Sequence, residues 1–189
     1  MRRLKIHHAH EWDLTPKEAR EVQERLAPMV QEKAIEVPIR HVAGVDVGVK
    51  HGAVRAAVAV LSFPDLEVVD RAVWEGPVTF PYVPGLLSFR EIPALLRVLE
   101  DVDVWPDVIL TDGQGYAHPR RIGLASHLGV LLDMPTIGVA KSRLTGIHDE
   151  PAPEKGCSVP LFSPDGTETI GVVLRTRDNV KPLYVSIGH

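Results

Sequence analysis

Residues 41–49 read HVAGVDVGV, a short apolar run dense in valine. Such β-branched runs pack well as strands buried within a sheet, and this one predicts a central strand. One residue does not belong to the pattern. Asp46 sits in its middle, where a carboxylate is costly unless it is paired or holds a metal. Residues 53–63, AVRAAVAVLSF, and 66–76, LEVVDRAVWEG, read as two more strands, with Phe63-Pro64-Asp65 as the turn between them. Three consecutive strands with short links predict an antiparallel meander.

Further strands are expected at PDVILTD (106–112), TIGVAKS (136–142), ETIGVVLR (168–175) and LYVSIG (183–188). Thr15-Pro16-Lys17-Glu18 has the form of a helix start, with a capping box and proline in the first turn. Ala19, Val22, Leu26, Met29 and Val30 follow on one face, so the spacing predicts a helix to about Lys33. Other helices are expected near Leu87–Glu100 and over HPRRIGLASHLGVLLD, 118–133, with Pro119 near its start. Residues 146–167, rich in Pro, Gly and charge, read as a loop. Meander, helix, strand, helix, strand is an α/β order: a mixed sheet of antiparallel and parallel strands flanked by helices. No repeat or linker divides residues 1–189, so one domain is expected. The sequence stops at Gly188-His189, directly after a strand, where a covering helix would ordinarily follow. The expectation is that a C-terminal segment is missing.

Composition narrows the classes. The chain has 189 residues, 44% hydrophobic and 24% charged, as in a globular protein. Cys157 is the single cysteine, so neither an intrachain disulfide nor a cysteine zinc cluster fits. No apolar run spans a bilayer, and the basic start MRRLKIHHAHEWDLTP lacks the apolar core of a secretory signal; a cytoplasmic protein with no membrane partner is expected. A net charge of -4 argues against coating nucleic acid by bulk charge. It leaves room for a local basic patch, for which Arg120, Arg121, Lys141, Arg143, Arg175, Arg177 and Lys181 are candidates.

Residues 80–96, FPYVPGLLSFREIPALL, raise a second question. Two prolines fix φ around Pro81-Tyr82-Val83-Pro84, making a stiff, extended finger with an aromatic residue in it, and Gly85 lets the chain turn at its end. Glu91 follows at the mouth of the next helix. It could cap, since Ser88 to Glu91 fits a capping box, or lie outside a helix that begins at Pro93. Asp112 closes a strand at the edge where open α/β sheets place ligands, though Asp112-Gly113 is also a turn dipeptide. Asp46, Glu91 and Asp112 together suit a hard divalent cation, and such a site can hydrolyse a phosphodiester.

The blocks AGVDVG (43–48), FPYVPGLLSFREIPALL (80–96), TDGQGYAHPRRIGLASHLG (111–129), PTIGVAKSRLTG (135–146) and PLYVSIGH (182–189) resemble endonuclease V, the deoxyinosine 3′ endonuclease family, in family order across nearly the whole chain. The resemblance implies an RNase H-like fold and a Mg²⁺-dependent repair nuclease, with Mn²⁺ as substitute. The substrate would be DNA containing deaminated purines, chiefly deoxyinosine, nicked 3′ to the lesion by a monomer. It implies Asp46, Glu91 and Asp112 at the metal, Lys141 and His118 near the scissile phosphate, Pro81–Pro84 as a strand-separating wedge, and Gly85, Leu87, Gly113 and Gly123 around the extruded base. His118 could instead cap the next helix. Gln114 stands where relatives often carry histidine, which puts the rate in question.

Three other readings stand beside this one. The wedge and pocket could serve a non-catalytic lesion-binding module. The substrate could be inosine-containing RNA, a choice that turns on the 2′-OH. Asp46-Val47-Gly48 also resembles the first phosphate loop of actin-like and sugar-kinase ATPases, but no second glycine-rich loop is visible.

Overall fold

The computed structural model describes residues 4–189; Met1–Arg3, the start of the basic N-terminal stretch, lie outside the described residues. The chain begins with helix α1 (Pro16–Leu26). Strands β1 (His41–Lys50), β2 (Ala53–Ser62) and β3 (Val68–Pro77) follow, then α2 (Leu87–Leu99), β4 (Val108–Thr111), α3 (Leu124–Leu132), β5 (Thr136–Ala140), β6 (Ser158–Phe162), β7 (Thr169–Leu174) and β8 (Leu183–Ile187). The eight strands form one sheet in the order β3-β2-β1-β4-β5-β8-β7-β6. The expected meander is present, with β1–β2 and β2–β3 both antiparallel. β1, β4 and β5 run parallel, and β5–β8, β8–β7 and β7–β6 are antiparallel. This is the α/β mixed sheet of the RNase H-like class.

The core lies between the meander and α2. β2 turns Val54, Ala56, Val58 and Val60 inward and β1 adds Ala43 and Val45, against Ile92, Leu95, Val98 and Leu99 of α2. The alternation corrects one expectation. β1 buries Ala43 and Val45 but exposes Gly44, Asp46 and Gly48, so Asp46 is not a charge trapped in a core. It occupies the open face of a strand whose other face is packed.

Four boundaries differ from the sequence reading. α1 ends at Leu26 and passes into one 3₁₀ turn, Ala27–Met29, because Pro28 cannot continue an α-helix; it does not reach Lys33. α2 begins at Leu87 with no side-chain cap, so Glu91 is an interior helical residue and neither a capping-box member nor outside the helix; Pro93 is carried inside it. α3 starts at Leu124 after Gly123, not near Pro119, and residues 118–121 form a turn. β6 lies within the stretch expected to be loop. Pro160 disguises it, and proline is admissible there because β6 is the edge of the sheet.

Candidate active site and nucleic-acid interface

Register brings the acids together. Val45 of β1 pairs with Thr111 of β4, so the next residues, Asp46 and Asp112, stand side by side. α2 crosses the meander and delivers Glu91 to the same place. Burial, then the charges of Asp46 and Asp112, push the Glu91 carboxyl up to about 8. Lys141 follows the last residue of β5, the next parallel strand, and its ammonium is bonded to Asp112 Oδ2. That bond first, and then the charges of Asp112 and Asp46, raise the Lys141 pKa. Asp46 Oδ1 accepts the Val47 N–H at 2.9 Å.

Among the described residues no group of three or more His, Cys, Asp or Glu side chains is placed to hold a metal ion as it stands. The donor set still fits a hard divalent cation. Asp46 and Asp112 both act on Glu91, Lys141 is the countercharge to Asp112, and Glu91 holds a proton it would release to a cation.

The finger ends in a β-turn that fixes it at its base. Leu86 N–H bonds to Val83 O at 2.9 Å, with Pro84 second and Gly85 third at φ +78°, the type II pattern that needs glycine at that place. Phe80 and Leu86 are buried with Phe89 and Ala19. Tyr82 is 70% exposed, and the Arg90 guanidinium lies 6.0 Å from its ring centroid.

One carbonyl receives unusual attention. Gly85 O accepts from Gln23 Nε2 at 3.0 Å, Arg120 Nη2 at 2.9 Å and His118 Nε2 at 3.0 Å. His118 Nδ1 accepts the Arg120 N–H at 3.1 Å, which fixes the ring proton on Nε2. Burial, then the Arg120 charge, lower the His118 pKa to about 4. Gln23 Oε1 in turn accepts Arg120 Nε at 2.7 Å. His118 therefore does not cap α3: its Nε2 serves the base of the finger and its Nδ1 the turn at Arg120.

A cavity of about 270 Å³ opens between finger and sheet. Gly85, Leu87, Ser88, Gly113, Gly123 and Lys141 are among its walls, so the expected pocket residues do come together with the finger and the lysine. A Cβ at Gly123 would meet the Gln114 carbonyl oxygen at 2.3 Å, so this glycine allows a close approach of protein backbone. At Gly113 the neighbouring volume is filled by Leu124. Gln114, 8% exposed, donates Nε2–H to Ser142 O at 2.8 Å, tying down the segment after Lys141.

The basic patch does not form as expected. Arg120 is drawn into the Gly85 clamp, Arg121 pairs with Glu168 at 2.8 Å, and Arg175 is buried against the carbonyls of Pro151, Ala152 and Val180 and the carboxylate of Glu150. Lys141 and Arg143 remain exposed at the pocket rim. The sequence reading missed Gln23, Ser88 and Ser142. Gln23 had a signal: it is a polar residue on the apolar face of α1, between Ala19 and Leu26.

A profile of the Endonuclease V family matches residues 23–189. An Endonuclease V of Nostoc punctiforme is 57% identical over 189 residues, covering 98% of this chain and 85% of the relative. The crystal structure of Endonuclease V from Streptomyces avermitilis superposes with a TM-score of 0.86 at 46% identity, over 94% of this chain and 79% of that one. Endonuclease V of Ciona intestinalis, solved in complex with a 24-mer DNA containing an inosine followed by a ribo-adenosine, gives 0.77 at 28% identity, over 92% and 82%.

Proposed function

The chain belongs to the Endonuclease V family, and from that premise we propose that it is a metal-dependent DNA-repair endonuclease that nicks a phosphodiester 3′ to deaminated purines, chiefly deoxyinosine. The observation that carries this reading is the convergence of Asp46, Glu91 and Asp112, with Lys141, beside a pocket walled by the finger. The inosine-containing DNA held by the Ciona relative supports the substrate class.

In this reading Asp46, Asp112 and Glu91 hold Mg²⁺, with Mn²⁺ as substitute. When bound, the ion supplies an acidified water and charge stabilisation at the phosphate. Lys141 offsets charge on the scissile phosphate, exchanging its bond to Asp112 for one to a phosphate oxygen. Tyr82, carried by Pro81, Val83 and Pro84, fills the gap left in the base stack. Unstacking costs a few kcal/mol, least at a mismatched or damaged pair. A pre-formed turn adds little ordering entropy to that cost. Gly85, Leu87, Gly113 and Gly123 bound the space for the extruded base. His118 acts through the Gly85 carbonyl, as a positioning residue and not at the phosphate. We take the chain to act as a monomer and as one domain. A cytoplasmic location goes with the DNA substrate and the lone Cys157; among the described residues no helix is long and apolar enough to cross a membrane.

The deciding experiment uses labelled duplexes with or without one central deoxyinosine, in Mg²⁺ or in EDTA. A single metal-dependent nick 3′ to the lesion, absent from the undamaged duplex, is expected. Lesion-selective binding without a nick would replace this reading with the binding module. A preference for the same site in RNA would move the substrate class.

A further inference from the structure

Ser88 is a polar residue in the wall of the pocket, in the first turn of α2, and its side chain belongs to a chain of hydrogen bonds that leads away from the pocket. Ser88 Oγ lies 3.0 Å from His127 Nδ1, His127 Nε2 lies 2.9 Å from His10 Nε2, and His10 Nδ1 lies 2.7 Å from the Glu11 carbonyl oxygen. The last link fixes the rest. A carbonyl oxygen only accepts, so His10 Nδ1 carries a proton. In neutral His10 the Nε2 is then bare and accepts, so His127 Nε2 carries the proton and His127 Nδ1 is bare. Ser88 must therefore donate its hydroxyl proton to His127.

Both rings are held neutral by their surroundings. His127 is fully buried, with the rings of Trp12 and Phe89 against it, and burial lowers its pKa well below the ordinary value. Burial also lowers that of His10, which faces Arg25 of α1 and Glu11. Ser88 is 2% exposed and lines the pocket, and with its proton committed to His127 its Oγ has only acceptor lone pairs left.

We propose that Ser88 is a specificity-determining residue, accepting a hydrogen bond from the ring N1–H of the extruded base. The inference rests on the reading of the pocket as the lesion-base site and names the atom read there. Deamination of adenine changes two groups: the exocyclic amine becomes a carbonyl, and N1 changes from acceptor to N–H donor. An acceptor-only oxygen tests the second change. Adenine would set its N1 lone pair against those of Ser88, leaving both unpaired in a buried site, which costs more than the bond itself returns. Guanine carries the same N1–H, so its exclusion lies elsewhere in the pocket. His127 and His10 are positioning residues that act through the polarity of the Ser88 hydroxyl.

The test is equilibrium binding in EDTA, where no strand is cut, to duplexes with a central 2′-deoxyinosine, a central 2′-deoxynebularine (unsubstituted purine, with a bare N1 in place of N1–H and no O6) or no lesion. Ser88→Ala is expected to weaken binding to the deoxyinosine duplex about tenfold and to the deoxynebularine duplex less than about twofold. His10→Phe keeps an aromatic ring beside Trp12 but frees the His127 proton, and is expected to lower the deoxyinosine-to-deoxynebularine ratio in the same direction. Equal weakening of both duplexes by Ser88→Ala, or weakening of neither, overturns the Ser88 contact alone while lesion preference persists. If the unaltered chain binds the deoxyinosine duplex no better than the undamaged one, the lesion-base reading falls and the contact with it.

Discussion

At the scale of single residues, the acids differ in what the sequence could say about them. Asp46 was conspicuous because a charge interrupts a valine-rich strand, even though the physical reason first given for it, burial, does not hold. Asp46→Ala is expected to lower cleavage by more than about a hundredfold, since outer-shell partners of a metal already account for 10–100-fold. Gel-based assays of nicking and of binding should show the rate lost and the affinity kept. Glu91 was ambiguous in sequence because its helix start could not be located, and its state is set by two acids far away in the chain. Folded Glu91 keeps its proton to about pH 8, whereas the unfolded chain releases it in the ordinary carboxyl range. The unfolded state is therefore increasingly favoured as pH rises between those values. Thermal melts in EDTA should show Tm falling across that window, and Glu91→Gln should flatten the fall. His118 works in the opposite sense. Its ring stays neutral down to about pH 4 in the fold but takes a proton near its ordinary value when unfolded. It contributes stability that is complete above the ordinary histidine range and is lost as pH drops toward 4.

At the scale of elements, the finger could be read in sequence and its mounting could not. Prolines and a glycine specify a stiff turn by their own backbone preferences, and the turn is where they imply. The mounting depends on Gln23 and Arg120, which reach Gly85 from α1 and from the turn before α3, and no local pattern encodes that meeting. The same limit explains β6, where a proline that argues against a strand is tolerated because the strand is an edge. Gln23→Ala removes two donor bonds and leaves Arg120 Nε without its acceptor. A stability loss of about 1–3 kcal/mol is expected by denaturant titration, with a smaller preference for deoxyinosine over undamaged duplex. Tyr82→Ala should reduce that preference with no loss of stability, since the ring is exposed. If Tyr82→Ala left discrimination unchanged, the wedge role would be wrong.

At the scale of the whole molecule, the meander and the parallel strands were legible because each has its own hydrophobic run, but the assignment of basic residues was not. Charge in a sequence carries no address. Arg175 looked like one member of a patch for phosphate, yet it is 7% exposed and gathers three carbonyls and a carboxylate from the 150–152 and 180 segments. Arg175→Met should leave those acceptors unpaired and lower unfolding free energy by roughly 3 kcal/mol, without changing the rate of nicking by the folded fraction.

The parallel register of β1, β4 and β5 has a consequence for how the protein comes into being. Asp46 arrives on a strand that first finds its partner in a neighbouring hairpin, but Asp112 and Lys141 reach it only by contacts that close long stretches of chain. Such distant pairings form later than local ones because more chain entropy is lost before they are rewarded. A ribosome extending this polypeptide thus carries a harmless intermediate: the meander can be folded, with one acid on display, while nothing present is able to cut DNA. Competence would switch on late, when the central strands lock, and a chain stalled before Lys141 would carry the three acids without the lysine set against them.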